Sequence, residues 1–99
     1  MPKPQNKPIW IDVGGGTGWN IETMNQFVNV SKFFSEVYLV DYSPSLCNVA
    51  RKRFMRLGWN NVQVVCEDAK LFDLSQRKAE LITMSVSYTH LTLPTILRV

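Results

Sequence analysis

A run of glycines and three acidic positions are the residues of this chain best suited to chemistry. Asp12-Val13-Gly14-Gly15-Gly16-Thr17-Gly18 follows directly on the apolar run Ile9-Trp10-Ile11. A glycine backbone can take positive φ and let a ligand approach its N–H groups, which a following helix aims outward with partial positive charge. Gly14, Gly15, Gly16 and Gly18 are therefore expected to receive anionic ligand groups. The second acid, Asp41, closes the apolar run Val37-Tyr38-Leu39-Val40, 23 residues after Gly18. A carboxylate at such a place can accept hydrogen bonds from both hydroxyls of a ribose, each charge-assisted bond contributing roughly 1.5–3 kcal/mol. An aspartate that merely caps a solvent-facing turn is the alternative. The third acidic position is Glu67-Asp68-Ala69, after Val62-Gln63-Val64-Val65-Cys66. Asp68 is placed to accept from an adenine amino group, and the Ala69 N–H to meet a ring nitrogen.

The glycine spacing restricts the ligand. A dinucleotide fingerprint, Gly-x-Gly-x-x-Gly, would need glycine where Trp19 stands, and no Gly-Lys-Ser/Thr follows to make a P-loop. The acid-x-Gly-x-Gly-x-Gly pattern instead resembles motif I of the class I S-adenosylmethionine-dependent methyltransferases. Three strand ends that each present an acid along one rim suit a cationic sulfonium cofactor, whereas a nicotinamide dinucleotide has an obvious partner only in the second. In this reading Asp12 orients the glycine loop and the amino group of the cofactor's methionine part.

The elements that must position these residues follow from apolar periodicity. Residues 9–13 read as a strand, and Ile21, Met24, Phe27 and Val28 predict a helix from about Gly18 to Val28. An irregular turn over 29–36 leads to a strand at 37–41. Ser43-Pro44 supplies an N-cap and first-turn proline for a helix whose apolar stripe is Leu46, Val49, Ala50, Phe54 and Leu57, stopped by Gly58. Strands at 62–66 and 81–85 complete the alternation that builds a parallel sheet. The fold class expected is α/β, the N-terminal part of a Rossmann-like, doubly wound, mostly parallel sheet, with the fourth strand left as an edge.

Composition sets the outer limits. A chain of 99 residues makes one small domain and buries only about 60–70% of its unfolded surface. No apolar run approaches the roughly 20 residues of a membrane-spanning helix, so a soluble, unsecreted chain is expected. Cys47, Cys66 and the lone His90 lack metal-ligand spacing and read as free thiols and a bystander, so no metal is expected. The net charge of +3 owes much to Arg51, Lys52, Arg53 and Arg56, a basic cluster open to a peripheral membrane contact or to simple solvation. Residues 1–8, with three prolines and two lysines, read as a linker.

Longer strings sharpen the resemblance. Trp10 to Glu22, then Val37 to Asp41 with Leu46 and Val49-Ala50-Arg51-Lys52-Arg53-Phe54, then Gly58-Trp59-Asn60-Asn61-Val62, are similar to the methyltransferase part of the fungal betaine lipid synthases, over residues 9–85. The resemblance implies transfer of methyl groups from S-adenosylmethionine to the amino group of a lipid-linked homoserine. It also implies a lipid substrate, no nucleic acid, and a place in the cytoplasm or on the cytoplasmic face of the endoplasmic reticulum. No catalytic nucleophile is implied, and acceptor-binding residues are expected beyond residue 85, apart from contributions by Trp19 and Ser85. The likeness stops after Ser85. Val86-Ser87-Tyr88-Thr89-His90-Leu91-Thr92-Leu93-Pro94-Thr95 reads as the translation of a transposase-end sequencing adapter, so residues 86–99 are set aside as a non-native tail. The fragment alone is expected to be inactive. A fragment of a methyltransferase with another small-molecule acceptor, a nicotinamide-dependent oxidoreductase fragment and a non-catalytic module using the basic helix are the rival readings.

Overall fold

A computed structural model describes residues 7–68, 79–84 and 96–97. Five strands, β1 (Ile9–Val13), β2 (Glu36–Asp41), β3 (Val62–Cys66), β4 (Leu81–Met84) and β5 (Ile96–Leu97), form one sheet in the order β3-β2-β1-β4-β5. The first four are parallel, and β5 is antiparallel. β4 is therefore not the sheet edge that patterning suggested: Leu81 and Ile82 register with Leu97 and Ile96.

Because side chains alternate across a strand, the sheet has two apolar faces. Trp10, Val37 and Leu39 turn to one face, where Ile21, Val30, Phe34, Ala50 and Phe54 cover them. Ile11, Tyr38, Val40 and Ile82 turn to the other, joined by Ala79. The described helices, α1 (Trp19–Met24), α2 (Val30–Phe33) and α3 (Pro44–Leu57), all pack on the first face.

α3 begins and ends as its caps dictate. Ser43 Oγ accepts from Leu46 N, Pro44 is the first helical residue, and Gly58 closes the helix at φ 73°. Its buried stripe is Cys47, Ala50 and Phe54, at spacings of three and four, while Val49 falls off that line and is exposed.

The first helix is shorter than its apolar pattern suggested. It stops at Met24, because the Asn25 side chain accepts from Val30 N at 3.0 Å and so opens the short helix α2 within the expected turn. Phe27 lies on the connecting turn and is exposed. Asn61 locks the return: its side-chain amide N–H groups donate to Val30 O and Phe34 O, and its backbone carbonyl accepts from Val37 N. Among the described residues, no helix is long and apolar enough to cross a membrane.

Candidate cofactor site

The glycine turn leaves the C-terminal end of β1, and each glycine has its own reason. Gly14, Gly16 and Gly18 take φ of 73°, 59° and 86°, values that side chains disfavour. Gly15 is required by space: a Cβ there would fall 2.6 Å from Leu39 Cγ and 2.9 Å from Asp12 Oδ2. At Gly18 it would meet the Phe54 ring at 2.7 Å. At Gly16 it would meet nothing within 4 Å among the described residues, so there this glycine borders open space.

Three of the loop amides are turned away from the outward cradle expected of them. Gly14 N donates to Val40 O at 2.7 Å, Gly18 N to Gly15 O at 3.0 Å, and Gly16 N to Asp41 Oδ2 at 3.0 Å. Three donors that a phosphate-binding turn would offer its ligand are thus taken up within the protein. The mouth of the loop carries a carboxylate in their place.

Asp41 ends β2 as expected, and two backbone groups fix it. Ser43 N donates to Oδ1 at 2.9 Å while Gly16 N holds Oδ2. An ionised carboxylate offers about four lone-pair sites, so two stay available to hydroxyl groups, as a ribose diol requires.

Asp12 departs from the expected rim of three acids. It sits one residue before the end of β1 at 1% exposure, beneath Gly15 and not beside Asp41 on the rim. Its contact with the loop is steric. Oδ1 accepts from Thr83 Oγ1 at 2.6 Å, Thr83 in turn accepts from Trp10 Nε1 at 3.0 Å, and Oδ2 is buried with no partner among the described residues. Burial pushes the Asp12 pKa up to about 6, the Thr83 hydrogen bond opposes the rise, and the Asp41 charge adds to it.

Asp68 is exposed two residues past β3, whose last residue Cys66 registers with Asp41, so it stands at the same end of the sheet. Ala69 and Ser85 lie outside the described residues. Trp19 is exposed at the start of α1. Two participants escaped sequence reasoning. Thr83 was signalled only by being the polar residue of an apolar strand, and Arg53, read as part of an outward basic face, turns inward to Thr17 and Glu22. Among the described residues, no group of three His, Cys, Asp or Glu side chains could hold a metal ion.

Comparison with known proteins agrees with this geometry. The family described as a methyltransferase domain matches residues 11–99. The protein-L-isoaspartate O-methyltransferase of Thermotoga maritima is 38% identical over 58 residues, 59% of this chain and 17% of that protein. The enzyme of the same name from Protochlamydia amoebophila is 32% identical over 68 residues, 69% of this chain and 29% of that protein. The chain thus spans less than a third of the length of these relatives. Among solved structures, a protein-L-isoaspartate O-methyltransferase superposes with a TM-score of 0.67 at 30% identity, covering 82% of this chain and 25% of that one. A SAM-dependent methyltransferase from Aquifex aeolicus shares the fold, with a TM-score of 0.67 at 23% identity over 84% of this chain and 43% of that one. With the parallel sheet, the glycine turn and the strand-end acid in place, the chain belongs to the methyltransferase domain family, in its class I S-adenosylmethionine-dependent form.

Proposed function

We propose that this chain is the cofactor-binding part of an N-methyltransferase whose full enzyme methylates the amino group of a lipid-linked homoserine. The observation that carries the cofactor assignment is the loop whose amides at Gly14, Gly16 and Gly18 are internally bonded while Asp41 stands at its mouth. Such a turn has little to offer the double negative charge of a pyrophosphate, but it leaves room for a close-packed, zwitterionic group beside a diol. Open space over Gly16 and two spare lone-pair sites on Asp41 fit S-adenosylmethionine. Gly14, Gly15, Gly16 and Gly18 would hold its amino-acid half, with Asp12 beneath them, Asp41 the ribose, and Asp68 with Ala69 the adenine.

When bound, the cofactor supplies a methyl group activated by its sulfonium. The protein's part is to align that group with an acceptor and keep water out, so no nucleophilic side chain is needed. The acceptor assignment is supported by the strings around Gly14–Glu22 and Gly58–Val62, which resemble betaine lipid synthases. Exposed Arg51, Lys52 and Arg56 on α3 offer the parent enzyme a contact with an anionic membrane surface. A second reading, a carboxylate acceptor on an isoaspartyl residue, is favoured by the names of the relatives.

Calorimetry on the chain tests the cofactor. S-adenosylhomocysteine should bind and a nicotinamide dinucleotide should not, and Asp41→Ala should weaken binding by ~2–4 kcal/mol. Unchanged affinity would sink the ribose assignment. The acceptor is tested with a longer enzyme containing this segment, given radiolabelled S-adenosylmethionine with either diacylglyceryl-homoserine in detergent or an isoaspartyl peptide. Label in the peptide and not in the lipid would replace the first reading by the second.

A further inference from the structure

Arg53 lies on α3 among cations that sequence patterning turns to solvent, yet its guanidinium reaches back to the glycine turn. Nε donates to Thr17 O at 2.8 Å, and Nη1 pairs with Glu22 in the first turn of α1. The Thr17–Gly18 peptide is thereby held on both sides, since its N–H donates to Gly15 O at 3.0 Å. Packing adds to the grip. A Cβ on Gly18 would fall 2.7 Å from the Phe54 ring and 3.3 Å from Arg53 Cδ, so both side chains lie directly against this glycine. α1 has six residues and no side-chain cap at Gly18, and Arg53 secures its start from the neighbouring helix instead.

Gly14, Gly15, Gly16 and Gly18 give this turn unusual backbone freedom. Left to itself it would sample several orientations of the Thr17–Gly18 peptide, and a ligand that needs one of them binds more weakly in proportion to the fraction in that state. We infer that Arg53 is the positioning residue of the glycine loop, selecting the orientation that receives the amino-acid half of the cofactor. The inference rests on the reading of this loop as the seat of that half. A planar guanidinium can bond Thr17 O and Glu22 at once, which the single ammonium of lysine cannot copy. Arg56, exposed and 4.0 Å from Glu22, is in no position to replace it.

The test compares two ligands by calorimetry on the chain: S-adenosylhomocysteine, and 5′-methylthioadenosine, which keeps adenine, ribose and sulfur but lacks the amino-acid group. Arg53→Met should weaken the first by about tenfold and the second by less than about twofold, because only the first depends on the fraction of correctly set loop. Arg53→Lys should fall between wild type and Arg53→Met for the first ligand, and it carries the same comparison where Arg53→Met fails to fold. A merely structural role would lower the melting temperature while leaving the two affinities of the folded protein unchanged or moving them together. Equal weakening of both ligands, or none, with Asp41→Ala still weakening both, would overturn the role of Arg53 and leave the cofactor reading intact. No uptake of S-adenosylhomocysteine by the wild-type chain would overturn that reading and this inference with it.

Discussion

The buried carboxyl of Asp12 makes the stability of this fold depend on pH in an unusual direction. Burial at 1% exposure, only partly relieved by Thr83, raises its pKa from the ordinary 3.8 to about 6. Between those values the folded chain holds a proton that the unfolded chain has lost, so stability falls as pH rises through the window and stays reduced above about 6. At about 1.4 kcal/mol for each tenfold change in proton affinity, the rise corresponds to about 3 kcal/mol. Asp12→Asn isolates this contribution. The amide keeps an oxygen for the Thr83 hydroxyl but carries no charge at any pH. Urea unfolding of both proteins from pH 4 to 7.5 should therefore show the wild type losing about 3 kcal/mol relative to the variant as pH rises. Saturating S-adenosylhomocysteine should shift the fall to lower pH if the ligand's amino group stands close to the carboxylate. Parallel profiles for the two apo proteins would refute the reasoning, because they would mean that Asp12 titrates alike in the folded and unfolded chain.

Gly15→Ala and Gly16→Ala should separate packing from ligand space. The first drives a methyl into Leu39 and Asp12 and should cost about 1–3 kcal/mol in a denaturation curve. The second adds only the strain of a left-handed residue, about 1–2 kcal/mol, and should instead lose more affinity for S-adenosylhomocysteine than stability. The reverse order would contradict the assignment of the open space. Iodoacetamide at pH 8, followed by mass spectrometry, should label exposed Cys66 well before Cys47. Burial, followed by the neighbouring Cys66 thiol, pushes the Cys47 pKa up to about 11 and leaves little of the reactive thiolate. Faster labelling of Cys47 would show that the start of α3 opens readily.

Local chemistry was enough to place the first four strands, the long helix and the acid that closes β2. The strand Ile9-Trp10-Ile11-Asp12-Val13 runs straight into glycines and so reads as a strand leading into a tight turn, and Ser43-Pro44 with Gly58 brackets α3 by backbone preferences that act within a turn. The position of Asp41 beside the loop follows from the parallel pairing of β1 and β2, which periodicity also implies. The length of α1, by contrast, was decided by a hydrogen bond from Val30 N to the Asn25 side chain. Apolar spacing at Phe27 and Val28 contains no record of that competition. The occupied loop amides, the burial of Asp12 and the inward turn of Arg53 also required three dimensions. Each depends on a partner far along the chain: Gly16 on Asp41, Asp12 on Thr83 in β4, and Arg53 on Thr17 and Glu22. The residue type announces a possible charge or donor, but which acceptor it meets is set by the sheet register and helix packing that bring distant segments together. Sequence alone therefore marked the acids and glycines of the candidate site, and the tertiary structure decided which were bonded to one another and which kept hydrogen-bonding capacity.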